Sequence, residues 1–516
     1  MTTLSADTTV LVIGAGIMGA GIAQVAAQAG HLVCLFDLRE GAAAKALDQL
    51  AGSLQALEAK GRLQPGQAQV ISGRIRAVPS IEAAADARLA VEAIVENIGA
   101  KKSLFAQLEA LLPADAVLAS NTSSISITAL AQGLQRPERV VGMHFFNPVP
   151  QMKLVEVVSG LQTAPEVADA IHALAGAWGK TAVHARSTPG FIVNRIARPF
   201  YAEAWALLLE QAATPAAIDA CLRGAGFRMG PCELMDLIGH DTNLAVTESV
   251  YQANYLDKRF QPSLLQREMV DGGLLGRKSG RGFYSHPQPA GGPAVDAAPT
   301  AAVGGAVQVH GGCAFAQRLA DALRAAGTAV EQDVAAATVG LRWAGGRLDV
   351  TDGRSALQLA AETGVANSAV FDWEVTGQLP QQAALAFAVA DGADERFAAE
   401  AAGLLAAIGW RPLRVADTPG LVVARTVAML ANEATDAVLQ GVCTAAAADQ
   451  AMKLGTSYPA GPFEWLERVG APALVVLLDR LDAHYRGERY RVSPALRRAV
   501  WRAAAIESPA RHAASA

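Results

Sequence analysis

A short apolar run, VLVI at residues 10–13, leads directly into Gly14, Gly16 and Gly19, spaced as GxGxxG. The following residues, GAGIAQVAAQAG, read as a helix that stops near Gly30, and a second apolar run, LVCLF, ends at Asp37. Few patterns restrict a fold this tightly. The first glycine permits a tight turn, the second lets the backbone approach a pyrophosphate, and the third lets the helix pack closely on the strand. The pyrophosphate then sits at a helix N-terminus, where amide N–H groups and the helix dipole favour negative charge. Asp37, at the end of the second run, is placed to accept from ribose hydroxyls and to repel a 2′-phosphate. The pattern predicts a Rossmann-type α/β domain that takes NAD in preference to NADP, with Arg39 close enough to soften that preference. The competing reading is a glycine-rich turn with no ligand. The run of strand, glycines, helix and acid favours the dinucleotide.

Composition bounds the rest. The 516 residues suggest about three domains at roughly 150 residues each. Apolar residues at 52% and charged residues at 18% exclude disorder over most of the length. Aromatics are 5%, so the apolar content is small and aliphatic, which favours close-packed helices. The 43 Lys and Arg against 48 Asp and Glu leave no basic excess for a nucleic-acid partner. No apolar run approaches the ~20 residues that span a bilayer, so no membrane partner is expected. The N-terminus has no basic n-region or cleavage pattern, which is read as a cytoplasmic chain. Cys34, Cys221, Cys232, Cys313 and Cys443 show no CxxC spacing, so buried thiols are expected, with neither disulfides nor a metal.

Two residues carry candidate chemistry. His144 lies in the strand-like run Val140 to Phe145, and Glu156 lies twelve residues on in KLVEVV. A histidine on an apolar strand is often only a satisfied core residue. A carboxylate in an apolar strand needs a partner, because an unpaired buried charge is expensive. A His–carboxylate pair supplies one, raises the basicity of the imidazole and fixes its tautomer. Beside a nicotinamide, such a pair suits removal of a hydroxyl proton as hydride leaves carbon.

The stretches IGAGIMGAGIAQVAAQAGH, VEAIVENIGAKKSLF, SNTSSISI, GMHFFNPVPQMKLVEVV, TPGFIVNR and GRKSGRGFY occur in order over residues 8–285. In them the chain closely resembles the 3-hydroxyacyl-CoA dehydrogenase family. The resemblance implies a Rossmann-type α/β domain followed by an all-α domain, NAD as cofactor, and an acyl-CoA substrate. It assigns the base to His144 with Glu156 orienting it, and implies that Ser123 and Asn194 hydrogen-bond the substrate oxygens or the histidine. Glu96 and Lys101 match positions near the nicotinamide half of the cofactor. Ser53 and Lys60 match positions that contact coenzyme A. From the residues alone, NTSS has an alternative reading as a helix cap, Glu96 as a helix-start acid, and Lys60 as a solvated charge.

Beyond Tyr284 the stretch HPQPAGGPAVDAAPTAAVGGA reads as a linker, and then self-similarity appears. STPGFIVNRI at 187–196 lines up with DTPGLVVART at 417–426. At the same offset Glu203 matches Glu433 and Asp219 matches Asp449, and after one inserted residue Gly230-Pro231 matches Gly461-Pro462. The second copy has Ala424 where the first has Asn194. It has no intact GxGxxG, although HGGC at 310–313 could be the relic of a phosphate loop. The expected organisation is a NAD-binding domain at 1–186, a helical substrate and dimerisation domain at 187–286, and a linker at 287–306. A reduced α/β segment at 307–416 and a degenerate second helical copy at 417–516 follow. The second copy is expected to pack on the first as an internal pseudo-dimer, with a homo-oligomer left open.

The long form resembles the branch of the family that oxidises 3-hydroxyadipyl-CoA in phenylacetate catabolism, while shorter members act on 3-hydroxybutyryl-CoA. A dicarboxylate tail would want a cation, for which Arg195, Arg198 and Arg228 are the local supply. Two rivals stay open: an NAD-dependent dehydrogenase of a free hydroxy acid, and a dinucleotide-binding module without turnover.

Overall fold

The computed structural model describes residues 4–5, 7–287, 294–379 and 381–507. The run VLVI becomes strand β1 (Val10–Ile13), buried along its whole length as strands covered on both faces are. It is joined by β2 (Val33–Phe36), β3 (Ile75–Ala77), β4 (Leu89–Glu92), β5 (Val117–Ser120), β6 (Val140–Phe145), β7 (Leu154–Ser159) and β8 (Thr181–Arg186). The eight strands lie in the order β3-β2-β1-β4-β5-β6-β7-β8. Strands β1 to β6 are mutually parallel, β7 is antiparallel to β6, and β8 is parallel to β7. The order reverses between β1 and β4, and open α/β sheets bind ligands beyond the carboxyl ends of the strands flanking such a reversal. This is the expected Rossmann-type domain.

The chain divides into two compact units. Among the described residues, one gathers those up to Arg195 together with Gln440–Thr456, and the other holds those from Ile196 to Leu439 and from Ser457 to Glu507. Residues 440–456, expected in the second helical stretch, therefore group with the N-terminal sheet. Their helix Ala445–Thr456 packs on β7 and β8, which leave one side of the sheet to be covered.

The second unit opens with helices Arg198–Leu209, Pro215–Gly224, Pro231–Ile238, His240–Ala253 and Leu264–Asp271. Of the expected linker, residues 288–293 lie outside the described residues. The part beyond them is no free spacer: Val295 O accepts from Arg411 Nη1 (2.6 Å), and the amides of Ala298 and Ala301 donate to Pro412 O and Ala399 O. The reduced α/β segment follows as β9 (Val307–His310), β10 (Val330–Asp333), β11 (Gly340–Trp343), β12 (Gly346–Val350), β13 (Ser368–Phe371), β14 (Ala384–Val389) and β15 (Arg411–Arg414). Its order is β10-β9-β11-β12-β13-β14-β15. The reduction has a specific form. Between β4 and β5 the first sheet has a crossover helix, Ile98–Leu111, whereas β11 and β12 form a tight antiparallel hairpin. With that helix gone, the second sheet has no equivalent of Lys101. The HGGC stretch does link β9 to a helix, Ala314–Ala325, and Gly311 has φ +117° where Gly14 has +102°.

Helix Arg198–Leu209 packs along helix Val423–Leu439. Glu203 on the first is fully buried and pairs with Arg425 on the second (2.9 Å) and with Arg489 (2.9 Å). Burial pushes its carboxyl up, but the two guanidiniums and the Tyr490 hydroxyl outweigh that and hold it below the usual range. Arg259 likewise pairs with Glu433 (3.0 Å) and Asp436. Among the described residues no helix is long and apolar enough to cross a membrane, and all five cysteines are free thiols.

Candidate active site

The glycine loop meets its physical requirements. Gly14 has φ +102°, and a Cβ there would lie 2.4 Å from Ala93 O. A Cβ on Gly19 would lie 1.7 Å from Gly14 O, so only glycine lets helix Ile17–Gln28 sit this close. A Cβ on Gly16 would meet nothing within 4 Å, which leaves open space at the helix N-terminus where a pyrophosphate belongs. Asp37 Oδ2 accepts from the Ala15 amide (2.8 Å), tying the acid to the loop. Arg39 forks onto the same carboxylate, Nε to Oδ1 at 2.9 Å and Nη2 to Oδ2 at 3.0 Å. That pairing, more than the loop amide, holds the Asp37 carboxyl down at about 2. A cradle of backbone and an ionised acid fits NAD. Arg39 is bound to that acid and is more exposed than it.

Strand register brings the candidate base to its partner. In the β6–β7 ladder His144 lies directly opposite Glu156, and His144 Nδ1 is 2.6 Å from Glu156 Oε2. A carboxylate only accepts, so the hydrogen of this bond belongs to Nδ1, and Nε2 is left as the acceptor nitrogen. Glu156 is fully buried, and its other oxygen is also used. Oε1 accepts from the amides of Ile192 (3.0 Å) and Val193 (2.9 Å), at the start of the turn Val193–Ile196. One carboxylate therefore orients the histidine and anchors the turn that carries Asn194. Asn194 Nδ2 lies 3.5 Å from Ser123 O, which draws these two residues together as well.

A second polar cluster lies at the ends of β4 and β5. Lys101 is buried between Glu92 (2.5 Å) and Glu96 (3.1 Å). Glu92 also accepts from the Ile94 amide (2.7 Å) and Ser120 Oγ (2.6 Å). Glu96 takes Thr122 Oγ1 (2.5 Å), Ser124 Oγ (3.1 Å) and the Ser123 amide (3.2 Å). Burial pushes the Glu96 carboxyl up, but the Lys101 charge and these donors prevail and keep it below the usual range. Lys101 thus carries two carboxylates, a role the sequence reading missed along with Glu92. Glu92 ends an apolar strand and Lys101 follows nine residues later, which was the available signal.

Members of both clusters line one cleft of about 370 Å³, all within the first unit. Met18, Glu96, Lys101, Ser123, His144 and Asn194 are in its wall, with Asn121, Phe146 and Asn147, which the sequence reading did not single out. Asn121 Oδ1 accepts from the Phe145 amide (2.8 Å) and so fixes the strand beside the histidine. Ser53 and Lys60 do not line this cleft. Both are exposed, on helix Ala42–Ala59 and at its C-cap, and Ser53 Oγ donates to Gln49 O (2.9 Å). None of Arg195, Arg198 and Arg228 lines it either. Arg195 Nη1 donates to Gln440 Oε1 (2.9 Å), Arg198 stacks on Tyr201, and Arg228 is exposed.

The second sheet repeats the frame without the chemistry. Its β13–β14 ladder pairs Phe371 with Phe387, and the Asp372 amide donates to Ala386 O (3.0 Å). Asp372 and Ala386 therefore take the places of His144 and Glu156. Asp372 accepts from the amides of Val422 (2.9 Å), Val423 (2.6 Å) and Ala424 (2.7 Å). The carboxylate has changed strands, yet it still anchors the helix start.

Comparison with known proteins supplies the family. The 3-hydroxyacyl-CoA dehydrogenase NAD binding domain matches residues 9–188. The C-terminal domain of the same family matches 190–286 and again 420–505. The 3-hydroxybutyryl-CoA dehydrogenase reduced Rossmann-fold domain matches 348–419. The 3-hydroxyadipyl-CoA dehydrogenase of Escherichia coli (strain K12) is 44% identical over 490 residues, 95% of this chain and 96% of that one. The chain belongs to the 3-hydroxyacyl-CoA dehydrogenase family. It is an oxidoreductase with NAD as its cofactor. A probable 3-hydroxybutyryl-CoA dehydrogenase of Deinococcus radiodurans is 46% identical over 276 residues, 53% of this chain and 99% of that one. Among solved structures, the 3-hydroxybutyryl-CoA dehydrogenase from Escherichia coli K12 superposes with a TM-score of 0.88 at 41% identity, covering 97% of this chain and 99% of that one.

Proposed function

We propose that His144 is the general base in the NAD-dependent oxidation of an (S)-3-hydroxyacyl-CoA to the 3-oxoacyl-CoA, and that Glu156 orients it. The observation that carries this reading is the 2.6 Å bond from His144 Nδ1 to a fully buried carboxylate, in the wall of the cleft that also holds Ser123 and Asn194. His144 Nε2 takes the proton of the substrate hydroxyl. Glu156 holds Nδ1–H and stabilises the imidazolium that results. Ser123 and Asn194 hydrogen-bond the substrate oxygen or the histidine. Bound NAD supplies the hydride acceptor for C3 of the substrate. Gly14, Gly16 and Gly19 accommodate the pyrophosphate, Asp37 accepts from the adenosine ribose, and Glu96 with Lys101 border the nicotinamide half. Ser53 and Lys60 contact coenzyme A on the outer face of their helix.

The preferred substrate is 3-hydroxyadipyl-CoA, supported by the relative that matches over nearly the whole length. A short-chain ester such as 3-hydroxybutyryl-CoA is the second reading, supported by the name of the full-length solved structure. The helical stretches at 187–286 and 417–516 are a duplicated domain, and the second packs on the first as an internal pseudo-dimer partner. This is supported by the two matches of one domain and by the buried Glu203–Arg425 pair between them. With Ala424, Asp372 and Ala386 at the key positions, the second copy has no active site of its own. The free thiols fit a cytoplasmic enzyme. The test is steady-state kinetics with monocarboxylic and dicarboxylic 3-hydroxyacyl-CoA esters beside the free 3-hydroxy acids. Turnover that requires the CoA ester supports the proposal. Equal turnover of the free acid favours a hydroxy-acid dehydrogenase, and no turnover of any favours a binding module.

A further inference from the structure

The stretch Gln440–Thr456 comes from the catalytically silent half of the chain, yet it belongs to the unit that holds the cleft. Three contacts place it behind the turn Val193–Ile196. Gln440 Oε1 accepts from Arg195 Nη1 (2.9 Å), and Arg195 is buried and adjacent in sequence to Asn194. The Arg186 amide donates to Val442 O (2.8 Å), which ties the stretch to the end of β8. Helix Ala445–Thr456 approaches so closely at Gly455 that a Cβ there would lie 2.8 Å from Leu154 Cδ2 and 3.0 Å from Val193 Cγ2. The Cys443 thiol lies close enough to feel Glu156: burial first, then that carboxylate, pushes it up to about 12. The turn is thus held in front by Glu156 and behind by residues 440–456.

The same device occurs in mirror fashion in the second unit. Arg425 stands in the second copy where Arg195 stands in the first, and it lies 3.5 Å from Glu210. By the same alignment Glu210 is the counterpart of Gln440. Helix Pro215–Gly224 packs on β14, where a Cβ on Gly224 would lie 2.4 Å from Ala384 O. Ala384 is in turn the counterpart of Leu154. Each half therefore sends one helix, entered through a residue that grips an arginine, onto the sheet of the other. The exchange leaves a glutamate on the silent side and a neutral glutamine on the side with the cleft.

We infer that Gln440 is a positioning residue for Asn194, and that the silent half supplies the backing of the active site through residues 440–456. The inference rests on the role proposed above for Asn194. Gln440 does not line the cleft. It acts by holding Arg195, and with it the turn whose placement decides whether Asn194 reaches its partner. Misplacement of such a group by ~1 Å lowers turnover.

The test is a double-mutant cycle between Gln440→Ala and Asn194→Ala in the full chain, read as kcat and as KM for NAD and for the acyl-CoA ester. The expected result is a fall of ~10-fold in kcat for Gln440→Ala with KM for NAD unmoved. No further loss is expected in the Asn194→Ala background, and Gln440→Glu, copied from Glu210, should restore kcat to within ~2-fold. Gly455→Val, which forces the helix off Val193, should lower kcat in the same way. The proposal is overturned if Gln440→Ala keeps kcat within ~2-fold while Asn194→Ala is impaired, or if the two losses simply multiply. An Asn194→Ala variant with full turnover would instead refute the role proposed for Asn194.

Discussion

Glu156→Gln separates orientation of the base from anchoring of the turn. The amide keeps one oxygen, which can still accept from Ile192 and Val193 as Glu156 Oε1 does now. Its NH2 replaces Oε2 and faces His144 Nδ1 at about the present 2.6 Å. Two donors cannot share that bond, so the histidine must give up its Nδ1 hydrogen and carry it on Nε2 instead. A histidine protonated on Nε2 cannot accept the substrate proton there, and no carboxylate remains to stabilise an imidazolium. Positioned general-base catalysis contributes ~10²–10⁴ in rate, roughly 3–5 kcal/mol of barrier. Glu156→Gln should therefore lose at least ~10² in kcat, measured as NADH formation at saturating acyl-CoA and NAD, with the fold intact by circular dichroism. Glu156→Ala should lose stability as well, because two buried amides lose their acceptor at about 1–3 kcal/mol each. A folded Glu156→Gln variant with kcat within ~3-fold of the parent would refute the reasoning, because it would show that neither tautomer nor charge matters at His144.

Three further outcomes are expected. Asp37→Ala should weaken discrimination against NADP, read as the ratio of kcat/KM for the two cofactors, and an unchanged ratio would remove the acid from the ribose site. Glu203→Ala leaves Arg489 without its carboxylate and Arg425 with only the more distant Glu210, and should destabilise the second unit by ~3–5 kcal/mol in urea unfolding. A loss below ~1 kcal/mol would mean that solvent screens the cluster. Asp372 is held up to about 6 by burial, against 3.8 for an ordinary aspartate. Its native form takes a proton on acidification before the unfolded form does, so its contribution to stability rises as pH falls through that window. The gap in thermal stability between the parent and Asp372→Ala should therefore widen from pH 7 to pH 5, and a constant or narrowing gap would contradict this sign.

The glycine loop and Asp37 were legible because their geometry is local: a strand, a turn, a helix and a second strand fix them within one short stretch of chain. His144 and Glu156 were legible as a need for partnership, but their pairing depends on a ladder register across β6 and β7 that no local rule supplies. The same holds for Lys101. Its position suggested a cofactor contact, while its burial between Glu92 and Glu96 follows from how helix Ile98–Leu111 folds back against β5 beside the end of β4. The repeat of STPGFIVNRI as DTPGLVVART predicted that the two helical stretches would meet. It did not predict that residues 440–456 would cross to the first sheet, because an exchanged helix has the same sequence as one that stays at home. The hairpin of β11 and β12 escaped for a related reason: losing a crossover helix leaves only an absence in the sequence.

The central claim is that His144 removes the hydroxyl proton of a CoA-linked substrate. The most direct measurement is NADH formation by the parent and by His144→Ala, each with a 3-hydroxyacyl-CoA ester, alongside NAD binding by both. The account predicts that His144→Ala binds NAD as the parent does and loses at least ~10² in turnover. Near-normal turnover in a folded His144→Ala variant would contradict it.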